Sequence, residues 1–415
     1  MRILWVATKS PAPPADGGRL LQFLTLEALA ARGALVTLVA PADPPAEGSG
    51  DSMEGTARAA SGVERPAASW SSRLVTAPAP SVLGALLSRQ PFTIARHRRR
   101  AVAGEVERLL ATERFDILHA EQLQALPQAE AAFERGVPVV LRAQNVESDL
   151  WQGMAAARET GGLRRRFAAR EARRLAAWEG RAAARAAVTV ALTAADAARL
   201  AALAGRGSSI ESAARVERVP APFPAELPAA EAPLPGAPAV VLLGSGGWPP
   251  NRQAACWFVA EAWPAVRAAV PGAVLHRFDG GASAPGVVSH PPPADSRAAF
   301  APGAALAVPL AVASGVRMKI LEAWARGLPV VASPTAAAGL DAGDGRELLL
   351  AEGAAGFAAA FSRLDREPGL AGRLVAAGRA ALTARHDPGA VADRLLALYA
   401  SAGAGTRPGA PVASA

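Results

Sequence analysis

"MRILWVATKSPAPPADGGRLLQFLTLEALAARGALVTLVAP", residues 1–41, alternates two kinds of segment. Its first run, "RILWVAT", is short and continuously apolar, the pattern of a parallel strand buried on both faces. "KSPAPPADGG" follows, a loop rich in Pro and Gly. From Arg19 to Arg32 the chain reads as a helix, with Leu20, Leu24, Ala28 and Ala31 on one stripe. Gly33 stops it. "ALVTLVA" is a second strand, so the unit is βαβ, with a right-handed crossover expected.

The same alternation runs on. "FDILHA" (115–120), "VPVVLRA" (137–143) and "VTVALT" (188–193) read as strands. Residues 161–186 read as a helix dense in arginine. Thr193 is a candidate N-cap for a helix starting at Ala194, with Asp196 in its first turn. "VPAPFPAELPAAEAPLPGAP" (219–238) is a Pro-rich connector and marks a domain boundary. Beyond it "AVVLLG" (239–244), "AVLHRF" (273–278), "GAALAVPL" (303–310), "LPVVAS" (328–333) and "RELLLA" (346–351) read as strands. "RQAACWFVAEAWPAVRAAV" (252–270) reads as a helix bent or ended near Pro264.

The expected organisation is therefore α/β, with two Rossmann-like, doubly wound domains. The first spans 1–218, the linker 219–238 and the second 239–388. A helix at 389–402 is expected to pack back toward the first domain, before a disordered tail at 403–415. Residues 43–72, rich in Pro, Ala, Gly, Ser and Glu, read as a long mobile loop. Two such domains make a cleft, and in such sheets ligands bind beyond the carboxyl ends of the strands.

Composition narrows the ligand. Hydrophobic residues are 51% of the 415 and charged residues 19%, which supports a packed core and argues against wholesale disorder. A net charge of +8 favours anionic partners. Aromatics are 5%, with one Tyr, a poor platform for stacking bases, and no zinc-finger or RNP-like segment is found, so no nucleic acid is expected. The single cysteine, Cys256, rules out a disulfide framework and reads as a small core residue on a helix. Five histidines without His-x-His or His-Glu-x-x-His spacing indicate no metal site. The N-terminal apolar run is too short for a signal peptide, and no run approaches about 18 apolar residues. A cytoplasmic protein is expected, with peripheral contact at the inner membrane's cytoplasmic face left open.

"SGVRMKILEAWARGLPVVAS", residues 314–333, narrows the chemistry further. A helix is expected near Val316, yet its first turn carries Arg317 and Lys319, where the helix dipole favours anions. Free N–H groups at that end suit a phosphate, and the two cations add full charge. Glu322, one turn on, is an acceptor of the kind sugar hydroxyls need. Plain surface pairs, Lys319–Glu322 and Glu322–Arg326, are the other reading of these spacings.

This stretch, followed by "AAAGL" (336–340), resembles the signature of GT-B glycosyltransferases, specifically the retaining GT4-like family in its bacterial exopolysaccharide-type branch. The family carries two glutamates eight positions apart here. The second corresponds to Glu322, which the resemblance implies holds the donor ribose; the first falls on Ser314. Ser314 keeps a hydroxyl without the charge, and amides near Gly315 are expected to help position the sugar. The family's Arg and Lys after the second domain's first strand are replaced in "GSGGWPPN" (244–251), where Gly244, Gly246 and Gly247 still permit close backbone approach. Arg317 and Lys319 are expected to supply the missing charge. Trp248 and Asn251 are candidate donor-pocket residues, Trp248 alternatively a loop anchor. In the first domain Gly17 and Gly18 precede a helix N-terminus expected to face the cleft, in a loop that the resemblance implies approaches the donor phosphate or the acceptor. Asn145 and Glu147 of "VLRAQNVESDLW" (140–151) match a family segment and are candidate acceptor or cleft residues, whereas Gln144 stands where the family has His. His119 is a candidate catalytic residue at a strand end, or else a core or hinge histidine. The arginine-rich run 164–185, with "RHRRR" (96–100), reads either as a solvated face partnered by Glu171 and Glu179 or as a surface for anionic lipid or a lipid-diphosphate acceptor.

The resemblance implies transfer of a sugar from a nucleotide-diphosphate sugar to a hydroxyl of a saccharide, lipid-linked or other acceptor, with retention, in polysaccharide or glycoconjugate biosynthesis. Catalysis would be electrostatic, through Arg317, Lys319 and helix amides, with no metal or other cofactor. Two rivals share the fold: a nucleotide-sugar epimerase and a non-catalytic nucleotide-sugar-binding homologue. A NAD-dependent oxidoreductase is disfavoured, since "DGG" at 16–18 is not G-x-G-x-x-G.

Overall fold

The computed structural model describes residues 1–43, 70–156, 161–205, 214–244, 248–293 and 295–404. The expected mobile loop (apart from its first and last few residues) and the tail from 405 lie outside them.

Among the described residues thirteen strands form two sheets. The first holds β1 (Arg2–Val6), β2 (Leu35–Pro41), β3 (Ser71–Val75), β4 (Ile117–Glu121), β5 (Val139–Ala143), β6 (Val188–Ala191) and β7 (Val216–Arg218). The second holds β8 (Ala239–Leu243), β9 (Val274–Phe278), β10 (Val287–Ser289), β11 (Ala305–Val308), β12 (Val330–Ala332) and β13 (Leu349–Leu350). The orders are β3-β2-β1-β4-β5-β6-β7 and β10-β9-β8-β11-β12-β13. All ladders are parallel, so each sheet is doubly wound, with its strand order reversing between β1 and β4 or between β8 and β11.

The helices of the first half are α1 (Gly17–Ala31), α2 (Val82–Leu86), α3 (Phe92–His97), α4 (Arg100–Thr112), α5 (Glu130–Glu134), α6 (Glu147–Ala156), α7 (Gly162–Arg185) and α8 (Ala194–Gly205). The second half adds α9 (Pro249–Trp257), α10 (Trp263–Ala269), α11 (Met318–Arg326), α12 (Pro334–Ala337), α13 (Gly353–Arg366), α14 (Leu370–Arg385) and α15 (Pro388–Ala404).

The period-2 alternation of β1 sorts its side chains. Ile3 and Trp5 join the core under α1, while Leu4 and Val6 join the core under α4 and α7. Asp16 caps α1 by accepting the Arg19 N–H at 2.9 Å. Gly33, at φ 76°, closes it: the Gly33 and Ala34 N–H groups donate to Ala30 and Leu29, the paired bonds of a Schellman motif.

Three details differ from the periodicity. The helix expected over 252–270 is α9 and α10 joined by a single π-helical turn, Phe258–Ala262. Pro264 has no N–H for the usual bond four residues back, and the wider turn absorbs that loss. Cys256 lies on the exposed face of α9, not in the core. The helix expected near Val316 begins at Met318.

Between the sheets the chain crosses twice, side by side. The Phe223 N–H donates to the His386 carbonyl at 2.7 Å, and His386 Nδ1 meets the Ala221 carbonyl at 2.7 Å. Beyond that crossing α15 packs on α1, burying Val391, Leu395, Leu398 and Tyr399 in the first sheet's core.

Candidate functional site

The loops at the carboxyl ends of β1, β4, β5 and β6 face those after β8, β9 and β11. Between them lies a cleft of about 470 Å³. Two helix N-termini point into it, α1 from one half and α11 from the other. They nearly touch: a Cβ on Gly17 would stand 3.4 Å from Met318 Cβ. Unpaired amides at two such termini make the cleft favourable to anions.

Arg317 and Lys319 sharpen that preference. Both line the cleft. The Arg317 guanidinium is buried, lies 5.6 Å from the Trp248 ring centre and donates through Nη2 to its own loop at the Ser314 carbonyl. Its Nε has no protein partner among the described residues. Lys319 Nζ donates to the Leu243 carbonyl at 2.5 Å and to Asn251 Oδ1 at 3.3 Å. Burial lowers the Arg317 pKa to about 10, against the pull of Asp196. Burial, with Arg317 nearby, lowers that of Lys319 to about 7. Among the described residues neither cation has a carboxylate within ion-pair distance.

Glu322 is buried and lines the same wall, one turn along α11. Its Oε1 accepts from Ser296 Oγ at 2.5 Å and from Arg326 Nε at 2.9 Å. Burial raises its pKa, and Arg326 opposes the rise. The Glu322–Arg326 pair is thus buried, not a solvated surface pair, which fixes the carboxylate's orientation.

Gly244, Trp248 and Asn251 also line the cleft. A Cβ on Gly244 would come within 2.8 Å of the Asn251 side chain, so any larger residue there would displace Asn251. Gly246 lies outside the described residues. From the first half come Gly17, Gly18, Gln144, Asn145 and Glu147. Burial raises the Glu147 pKa.

Some lining residues carry no advance signal. Gln122 follows β4 with φ 73°, a conformation rare outside glycine. It accepts from Thr8 Oγ1 and donates to Gln144 Oε1, both at 2.8 Å. Gln144 in turn donates to Glu121 at 2.7 Å. Lys9 pairs with Asp16 at 2.6 Å at the mouth of α1. Ser296 reaches Glu322 from a separate short helical turn. Apart from the local Lys9–Asp16 pair, contacts distant in sequence select these residues, so spacing does not reveal them.

Three expected site residues stand elsewhere. His119 is fully buried, stacked on Trp5 at 3.7 Å, between Glu121 at 3.2 Å and the Tyr399 hydroxyl at 2.8 Å. Burial lowers its pKa to about 4, so it is neutral, and it does not face the cleft. Ser314 and Gly315 do not line the cleft either; they hold the two halves together. Ser314 Oγ donates to Asp196 Oδ1 at 3.1 Å and accepts the Val146 N–H at 2.8 Å. The Gly315 N–H, expected to help position a sugar, donates to Asp196 Oδ2 at 3.1 Å. Asn145, its amide nitrogen toward them, donates to the Ser314 and Gln144 carbonyls at 2.7 and 3.2 Å. Gly315 has φ 72°, and a Cβ there would stand 2.0 Å from the Gln144 carbonyl oxygen.

Glu171 and Glu179, read as partners of a solvated arginine helix, are themselves buried. Glu171 accepts the Phe92 N–H at 2.6 Å and pairs with Arg174 at 2.6 Å. Glu179 accepts the Glu147 N–H at 2.6 Å and so caps α6; burial raises its pKa to about 8.

Comparison with known proteins agrees with this geometry. A glycosyl transferase 4-like domain model matches residues 24–222 and a glycosyl transferase-like model residues 252–397. Among solved structures, sucrose-phosphate synthase from Thermosynechococcus elongatus is similar at a TM-score of 0.69 and 16% identity, over 97% of this chain and 99% of that one. Anabaena HepE, solved with UDP and glucose, is similar at 0.58 and 15%, over 97% and 100%. No curated protein matches the sequence. At such identities the structures speak for the fold; the two domain models, which meet the two sheets in order, speak for the class. The chain belongs to the GT4-like glycosyltransferases of GT-B fold.

Proposed function

We propose that this transferase moves a sugar from a nucleoside-diphosphate sugar to a hydroxyl acceptor, with retention, in polysaccharide or glycoconjugate biosynthesis. One observation carries the donor class. Arg317 and Lys319 are held at the N-terminus of α11 with no carboxylate in ion-pair distance among the described residues, Asp196 acting on Arg317 only from farther off, and a buried charge without a close counter-charge is costly. A diphosphate supplies that counter-charge. Glu322, oriented by Arg326 and Ser296, offers the acceptor oxygen that a ribose needs. HepE, similar in fold, has also been solved with UDP-glucose.

In this reading the bond from the anomeric carbon to the leaving diphosphate breaks as the acceptor oxygen bonds to the same face. The acceptor proton passes to the departing phosphate oxygen. Arg317, Lys319 and the α11 amides stabilise the charge that develops there. His119 takes no part, because it does not reach the cleft. No metal enters the scheme, so a chelator leaves the rate unchanged.

The test is release of nucleoside diphosphate from a panel of nucleotide sugars by wild type and by Glu322→Gln. Glutamine is preferable to alanine, which would leave Arg326 buried and unpaired at a cost of about 3–5 kcal/mol. Release by wild type, reduced at least tenfold in the folded variant, is the expected result. Binding without release, with every acceptor class supplied, would make the chain a non-catalytic binder. An altered sugar still joined to its nucleotide would make it an epimerase.

A further inference from the structure

Four large apolar side chains stand out of the first half within six residues: Val82 is 53% exposed, Leu83 67%, Leu86 42% and Leu87 78%. They belong to α2 and its C-cap. Only Ala85 of this turn is buried, so α2 docks on one small side chain and turns its leucines outward. The turn is nevertheless held firmly. Ser81 Oγ caps it at Gly84 N, 3.0 Å away. Arg96 and Arg99 donate to the Pro80 and Ala77 carbonyls before it. Arg174 donates to the Ser88 and Gln90 carbonyls after it, at 2.9 and 2.7 Å. Phe92, just beyond, packs on Phe167 of α7. Leu163, 84% exposed, lies one turn before Phe167.

The flanking segments are cationic. Arg89, Arg98, Arg100, Arg164, Arg165, Arg166 and Arg173 are exposed, and among the described residues none of them forms an ion pair. So the two arginine-rich motifs divide their labour: Arg96, Arg99 and Arg174 pin the backbone around α2, and the others face solvent.

We infer that α2 and the first half of α7 form a docking surface for an anionic lipid bilayer, independent of the donor site. A nucleic acid would match the arginines and leave the leucines in water. A second copy would bring like charges face to face. A bilayer satisfies both, since side chains on a protruding turn enter the acyl boundary while arginines meet acidic headgroups. A protein partner of acidic, apolar character is the remaining occupant, and the test separates it. No helix among the described residues is long and apolar enough to cross a membrane, so attachment at this surface is peripheral.

The experiment is flotation of the full chain with phosphatidylcholine vesicles, with and without 30% phosphatidylglycerol, at low and high salt. Two variants accompany wild type: Leu83→Ser, Leu86→Ser and Leu87→Ser combined, and Arg164→Ala, Arg165→Ala and Arg166→Ala combined. Wild type is expected to float with the anionic vesicles alone, and to lose binding at high salt. The arginine variant should bind on the order of 100-fold more weakly, and the leucine variant about tenfold or more, both with wild-type melting temperatures. Absence of flotation would overturn the inference. So would flotation unchanged in the leucine variant, which means charge-only adhesion, or self-association lost in that variant, which means a second copy covers the leucines.

Discussion

Lys319 is a charge that its surroundings discourage. Burial and Arg317 hold its pKa near 7. A bound diphosphate would draw it back up. Below pH 7 the ammonium is already charged and binding needs no proton; above pH 7 each binding event takes one up. Donor affinity should therefore fall by up to tenfold per pH unit above about 7, until the pKa of the complex is reached. Folding has the opposite trend. Between about 7 and 10.5 the unfolded chain keeps a proton on this lysine that the native state has lost, so its contribution to stability rises with pH. Isothermal titration with a nucleoside diphosphate from pH 6 to 9 checks the first trend; Lys319→Met should bind weakly and flatten it. The cations at 317 and 319 were legible in the sequence because they break the dipole rule. Their depressed pKa values were not, because burial is a property of the closed cleft.

At the scale of elements, "TAAD" at 193–196 reads as the start of a capping box. Half of it forms: the Asp196 N–H donates to Thr193 Oγ1 at 2.9 Å. The Asp196 carboxylate instead reaches across to Ser314 and Gly315 of the other half. The helix start was visible in the local residue types; the diversion of its acid was not, since it depends on where α11 arrives. Asp196→Asn keeps one acceptor and loses the charge, weakening this junction by about 1–3 kcal/mol. If Asp196 positions the cleft, donor KM rises several-fold with kcat within about twofold, on top of the few degrees of melting temperature that the weaker junction costs. A parallel fall in stability with unchanged KM would make the contact merely structural. The strands β1 and β8 were legible for another reason: runs buried on both faces need no partner to be recognised. The π turn before Pro264 and the exposed face of Cys256 depend on how α9 lies on the second sheet.

The whole molecule closes on itself through α15. This helix follows the second half in sequence and completes the core of the first, where neutral His119 gives its one N–H to Glu121 and the Tyr399 hydroxyl donates to His119 Nδ1. From there the polar chain continues through Glu121, which pairs with Arg142 at 2.6 Å, to Gln144 at the cleft. Tyr399→Phe leaves the imidazole nitrogen buried without that partner, at a cost of about 1–3 kcal/mol. Thermal or urea denaturation should show the loss in the first half, with the second half's transition unchanged. His119 was conspicuous in sequence as a histidine at a strand end. Its role follows from a residue 280 positions away, which periodicity cannot connect.

Strand and helix order, the doubly wound class and the phosphate-friendly end of α11 follow from the chain alone, because each rests on residues within one or two turns of one another. The cleft's actual lining is settled by folding. Ser314, Gly315 and His119 leave the site, while Gln122, Lys9 and Ser296 enter it, because membership depends on which strand ends the two sheets bring face to face. That arrangement is set by long-range packing, above all α15 on α1 and Asp196 on the 314–315 loop, and no local spacing encodes it.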